Sequence, residues 1–219
     1  MILTKMQNFS NQYLTKHNNY YNTIRNIDHM NRVVTPGNQY LVQLHKGGYL
    51  GENFREGRGR IAIDAGCGSG YNLVSLALMG WKACGFEISS DIIKHTSNVI
   101  QDFGVKADLR IGCNQAIPFS DGQAKLLWSI NTLHYADSKN AILQAIHEYA
   151  RVLSPGGRLV CLTIHPDSWL LTGACLVDNN RRQVCVKNDY RYNELLYVFN
   201  DINEISKIFK NDFIDFHIS

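Results

Sequence analysis

The chain has 219 residues, of which 45% are hydrophobic and 19% charged, with a formal net charge of +3. That is globular material, enough for one generous domain or a domain with an appendage, and it excludes a disordered tail. The mild positive charge forms no basic stripe of the kind nucleic-acid binders carry. Lys46, Arg55, Arg58 and Arg60 are spread through a glycine-rich stretch that reads as a solvated loop.

In chain order, the first fifty-odd residues are rich in Asn and Tyr, and only Gln39 to Leu44 has helical apolar spacing. Residues 1–59 are therefore expected to be an N-terminal helical or lid segment, with Gly47 to Gly59 as a connector. Met1 to Gln12 lacks the apolar core of a signal peptide. No apolar run approaches the roughly 18 residues a bilayer crossing needs, so a cytoplasmic protein with no membrane partner is expected.

From Arg60 the pattern is regular. Ile61-Ala62-Ile63 suits a strand buried on both faces, and a helix runs through Leu73 to Leu78 and stops at Gly80. Trp81 to Glu87 is the second strand. Ser89 or Ser90 caps a helix with apolar residues at Ile92, Thr96, Val99 and Phe103. Lys106 to Gly112 and Ala124 to Asn131 are strands three and four. Asp137 or Ser138 caps the next helix, and Pro155-Gly156-Gly157 turns into a fifth strand, Arg158 to Ile164. Strands alternating with helices at this spacing predict an α/β, doubly wound, mostly parallel sheet. An insert at about 166–195 follows, with Trp169, Arg181, Arg182, Tyr190, Arg191 and Tyr192 in it. Asp201-Ile202-Asn203-Glu204 has the form of a capping box, and Phe213 to Ile218 looks like a last strand.

The six cysteines (Cys67, Cys84, Cys113, Cys161, Cys175, Cys185) form no CxxC pair and no Cys/His cluster with zinc spacing. They read as buried free thiols of a reducing compartment, with no metal.

The strand–turn–helix at Asp64-Ala65-Gly66-Cys67-Gly68-Ser69-Gly70 is an anchoring site for a polar or anionic ligand, because bare backbone approaches closely and the helix start offers N–H groups. Its glycines give GxGxG. The dinucleotide fingerprint needs a further glycine where Tyr71 stands. Asp64 would repel a pyrophosphate and attract an ammonium group, which favours an amino-acid-bearing nucleotide over NAD. Glu87, at the end of the second strand, is placed to accept hydrogen bonds from both hydroxyls of a ribose.

These residues resemble the class I S-adenosylmethionine-dependent methyltransferase family. Residues 64–70 resemble its first motif and Gly85-Phe86-Glu87-Ile88-Ser89 the acidic end of its second strand. Ile117-Pro118-Phe119-Ser120-Asp121-Gly122 is similar to its turn before strand four, Ser129-Ile130-Asn131-Thr132-Leu133-His134 to the end of that strand, and Leu153-Ser154-Pro155-Gly156-Gly157 to the turn before strand five. The resemblance runs from about residue 60 to 165. It implies a Rossmann-like methyltransferase domain over 60–219 that binds S-adenosyl-L-methionine.

By position, the resemblance assigns Asp64, Ala65, Gly66, Cys67, Gly68 and Gly70 to the methionine end, Glu87 to the ribose and Ile88 to one adenine face. It places Cys113 and Asn114 at the adenine edge, and Asn131 and Leu133 beside the methyl donor. Cys113 stands where many relatives carry Asp, and Lys125 where an acid is common. The chain ends at the strand matching the family's sixth, so the usual last antiparallel strand is missing unless residues 184–189 replace it.

Methyl transfer is an in-line displacement, and a base is needed only if the acceptor must lose a proton. His134 is the candidate catalytic base, or else a residue that shapes the pocket. His165 and Trp169, with Tyr20 and Tyr21 of the N-terminal segment, are the candidate substrate contacts. Asn131-Thr132-Leu133 is not the element of exocyclic base-amine methylases, and no Pro-Cys nucleophile is present. A small molecule or a saccharide is the expected acceptor. The alternative is a cofactor-binding but catalytically silent subunit of a methyltransferase complex, and the open sheet edge invites a homodimer or a partner subunit.

Overall fold

The computed structural model describes residues 38–217. Helix α1 (Gln39–Lys46) and a 3-10 turn (Glu52–Phe54) precede the main sheet. The regular part is β1 (Ile61–Ala65), α2 (Tyr71–Leu78), β2 (Lys82–Glu87), α3 (Ser90–Asp102), β3 (Ala107–Ile111), β4 (Ala124–Ile130), α4 (Lys139–Val152) and β5 (Leu153–Leu162). Five strands run parallel in the order β3-β2-β1-β4-β5. The order reverses beside β1, so the α2 and α4 crossovers cover opposite faces and a crevice opens beyond the carboxyl ends of β1 and β4.

The period of two in β1 sorts the core. Ile63 and Ala65 face one layer with Leu127, Ile142, Ile146 and Tyr149. Ala62 faces the other with Leu126, Trp128, Leu73, Leu76 and Leu41 of α1. A polar pair deep in the first layer is satisfied internally, since the Ser129 hydroxyl and the Tyr149 phenol lie 2.9 Å apart.

The expected caps form. Ser89 accepts from Asp91 N at 3.3 Å, Ser138 from Ala141 N at 3.2 Å, and Asp201 from Glu204 N at 2.8 Å. The last of these opens α5 (Ile202–Phe209), where Glu204 reaches back one residue beyond the cap to accept from Asn200 N at 2.8 Å.

The expected last strand fails, and the insert does not replace it in the main sheet. Residues 213–217 form no strand, since Phe213 is held against the end of α5 by a bond from its N–H to the Phe209 carbonyl. Residues 184–189 do not join the main sheet. The insert has secondary structure of its own. A 3-10 turn (Trp169–Leu171) leads into β6 (Cys175–Leu176), β7 (Arg181–Gln183) and β8 (Leu195–Tyr197), a separate antiparallel sheet. Its own small core, Leu170, Leu171, Val184, Leu196 and Val198, is what orders it.

Candidate active site

The glycine loop leaves β1 through backbone that a side chain would block. Gly66 has φ +62°, and a Cβ there would lie 2.4 Å from Thr132 Oγ1. Gly70 has φ +86°, caps α2, and would place a Cβ 2.7 Å from Thr96 Cγ2. The Thr96 hydroxyl, buried in α3, holds the Gly68 carbonyl and clamps the loop to the helix after β2.

Glu87 turns back toward this loop. Its Oε1 accepts from Gly68 N at 3.2 Å and its Oε2 from Ile88 N at 2.9 Å. Its pKa is raised by burial, a rise that these two N–H bonds oppose only in part. Asp64 lies behind the loop, 1% exposed, with Oδ2 unpartnered. Burial pushes its carboxyl up to about 8, with Glu87 adding to the rise and a hydrogen bond to the Asn72 side chain opposing it. It is a carboxyl kept neutral at pH 7 for want of a cation.

The crevice beyond the strand ends holds about 360 Å³. Gly66, Glu87, Ile88, Cys113 and Asn114 line one side, and Asn131, Thr132, His134, Tyr135, Tyr190 and Arg191 the other. Asn114 donates from Nδ2 to Thr132 Oγ1 at 3.1 Å, while its Oδ1 is buried without a partner. Asn131 adopts φ +54°, and its N–H bonds to the Leu162 carbonyl at 2.9 Å. His134 sits in a 3-10 turn (Leu133–Tyr135), 3% exposed, with its ring 4.6 Å from that of Tyr135. Burial, helped by the charge of Arg191, lowers its pKa to about 4, and Nδ1 has no partner. Arg191 is itself held by Asp189, Nε to Oδ1 at 2.7 Å and Nη2 to Oδ2 at 2.8 Å, and lies 4.8 Å from the Tyr190 ring.

Residues 62–157 match the family described as a methyltransferase domain. The malonyl-[acyl-carrier protein] O-methyltransferase of Hahella chejuensis is 29% identical over 116 residues, which are 50% of this chain and 38% of that protein. The demethylmenaquinone methyltransferase of Lactiplantibacillus plantarum is 29% identical over 175 residues, 74% of this chain and 68% of the relative. A SAM-dependent methyltransferase from Methanosarcina mazei has the same fold, with a TM-score of 0.60 at 19% identity over 70% of this chain and 79% of its own. Over residues 62–157, somewhat under half of the chain, the sequence matches a methyltransferase domain of the class I S-adenosylmethionine-dependent type. It spans well under half the length of the Hahella relative.

The residues present fit the cofactor of this methyltransferase family. Its sulfonium nucleotide offers an ammonium, a ribose diol and an exocyclic amine, all donors. The crevice and the wall behind it hold three acceptors short of donors: the unpartnered Asp64 Oδ2, the Glu87 carboxylate bonded only to backbone, and the unpartnered Asn114 Oδ1.

Of the residues expected in the site, Gly66, Glu87, Ile88, Cys113, Asn114, Asn131 and His134 line the crevice. Asp64, Ala65, Cys67, Gly68 and Gly70 are buried in the wall behind it, and the Cys67 thiol packs against the backbone of Gly85. Leu133 does not line the crevice. It is fully buried in the α4-side core, because the 3-10 turn points it down and His134 up. His165 and Trp169 also lie outside the crevice lining. The His165 Nδ1 accepts from Asp167 N at 3.1 Å, and Trp169 is 64% exposed with the Arg191 guanidinium 6.0 Å from its ring. Tyr20 and Tyr21 lie outside the described residues. Thr132, Tyr135, Tyr190 and Arg191 were not singled out for the site. The Tyr-Arg-Tyr run at 190–192 is visible in the sequence, but nothing local signals that the insert folds back against the turn after β4.

Proposed function

We propose that this chain transfers the methyl group of S-adenosyl-L-methionine to oxygen or nitrogen of a small-molecule or saccharide acceptor. The observation that carries the reading is Asp64, a buried carboxyl beside a glycine loop with one oxygen unpartnered. An ammonium group answers it and a diphosphate does not. When bound, the cofactor supplies an activated methyl group on sulfur. Asp64 and the loop amides anchor its amino-acid end, Glu87 its ribose, and Ile88 and Asn114 its base.

The far wall then faces the acceptor. His134 is held uncharged with Nδ1 buried and unpartnered, and its lowered pKa makes it a weak base, so it serves as a residue that shapes the acceptor side of the pocket and offers a hydrogen-bond acceptor to a hydroxyl or amine that reaches it. Tyr135 and Tyr190 give the acceptor flat apolar surface, and Arg191 lies at the rim. The small-molecule class is supported by what the relatives are named for, malonyl carried on an acyl-carrier protein and demethylmenaquinone.

Titration calorimetry with S-adenosylhomocysteine and with NADH tests the cofactor: heat from the first and none from the second is expected. Incubation with labelled cofactor and a panel of metabolites and glycans tests the transfer. A second reading, a silent partner subunit, is favoured by the outer edge of β5, which pairs with no strand among the described residues. Transfer that appears only after a partner protein is added would select it.

A further inference from the structure

The insert sheet brings two cysteines together that are ten positions apart in sequence. Cys175 begins β6 and pairs in register with Gln183 of β7, and Cys185 follows two residues later. Their sulfurs lie 3.6 Å apart. Cys175 is exposed and Cys185 half-buried, unlike the buried Cys67 and Cys84. The Cys185 S–H points at the Gln183 carbonyl, 3.5 Å away, which leaves the Cys175 S–H to donate to the Cys185 sulfur. A disulfide needs the sulfurs at about 2.05 Å, a closure of roughly 1.5 Å that side-chain rotation on an exposed hairpin can supply.

We propose that Cys175 and Cys185 are a thiol–disulfide pair, oxidised reversibly by exchange with a low-molecular-weight disulfide. The Cys175 thiolate, the accessible one, attacks one sulfur of the small disulfide, forming a mixed disulfide and releasing one small thiolate. The Cys185 thiolate then attacks the Cys175 sulfur and expels the second. The protein loses two protons and two electrons, and the small disulfide gains them as two thiols. The shared hydrogen bond holds the Cys175 proton on and raises its pKa, so exchange speeds up as pH rises toward the thiol range. The bond would tie β6 to the segment that runs on through Asp189 to Tyr190 and Arg191 in the crevice wall.

The test uses the full chain incubated with oxidised glutathione at pH 7 and pH 9, then alkylated and digested. A linked peptide pair containing Cys175 and Cys185, about 2 Da lighter than the two thiols, is expected, forming faster at pH 9 and disappearing on reduction. Cys175→Ser and Cys185→Ser should each abolish it, while Cys113→Ser should leave it unchanged. The oxidised chain should also be cut more slowly by trypsin at Lys187 than the reduced one. Glutathione left on Cys175 without the linkage, or linkage between molecules instead of within one, would overturn the proposal. So would unchanged cleavage at Lys187 in a fully linked sample.

Discussion

At the scale of single residues, the site turns on two carboxyls with different tasks. Glu87 is bonded to two backbone N–H groups and half-buried, so it is ready to exchange those donors for hydroxyls. Hydrogen bonds to a charged group are worth about 1.5–3 kcal/mol. Glu87→Ala should therefore weaken S-adenosylhomocysteine binding by about 10- to 100-fold by calorimetry, with Glu87→Gln between the two. Asp64 behaves differently because its carboxyl is held up to about 8. At pH 7 the free protein carries that proton, and a cationic ammonium beside the carboxyl favours its loss. Binding should then release close to one proton at pH 7 and almost none at pH 9, read from calorimetry in buffers of different ionisation enthalpy. Asp64→Asn should release none at either pH. Uptake of a proton at pH 7 would contradict the assignment of the ammonium to Asp64.

At the scale of elements, α1 shows how a helix with one short apolar stripe is held. Leu41 is buried in the α2-side core, and His45, also fully buried, accepts from Trp81 Nε1 at 3.1 Å. The imidazole must be neutral to accept, and burial, with Lys46 and Arg60 nearby, lowers its pKa to about 4. A histidine whose folded pKa lies below its unfolded value near 6.5 contributes stability above pH 6.5, and that contribution is lost as pH falls toward 4. His45→Gln, which keeps an acceptor and cannot titrate, should flatten this part of the fall in the urea midpoint between pH 7 and pH 5. His45→Leu should lower the midpoint at every pH, because it strands a buried indole N–H at a cost of about 1–3 kcal/mol. The helices and strands of residues 61–162 were legible in the sequence for local reasons. Ser89, Ser138 and Asp201 cap helices by bonds within three residues, and β1 opens on the apolar run Ile61-Ala62-Ile63 whatever its neighbours. The strand expected at Phe213 to Ile218 was misread because its apolar residues alternate as a strand's would. Phe213 instead packs beside Phe209 after the helix, with ring centroids 6.1 Å apart.

At the scale of the whole molecule, one half of the crevice was legible and the other was not. The wall with Gly66, Glu87 and Asn114 sits at strand ends whose order follows from strand–helix alternation. The wall with Tyr190 and Arg191 is contributed by an insert ordered by its own core, and contacts across such sequence distances leave no periodic trace. Leu133 and His134 are adjacent in sequence yet face core and crevice, which a 3-10 turn decides and a motif cannot. The same architecture sets how stability responds to ligand and pH together. With its folded pKa raised from 3.8 to about 8, Asp64 contributes stability at low pH and loses it as pH rises from about 4 to 8, by at most about 1.4 kcal/mol per unit. A ligand at one hundred times its dissociation constant adds about 2.7 kcal/mol, which in a chain of this size raises Tm by roughly 5–10 °C. If that ligand stabilises ionised Asp64, it also removes the alkaline loss. The Tm increment given by a fixed concentration of S-adenosylhomocysteine should therefore be larger at pH 8.5 than at pH 6, and Asp64→Asn should make the two increments equal. Equal increments in the unsubstituted chain would mean that the cofactor's ammonium group is held elsewhere in the crevice.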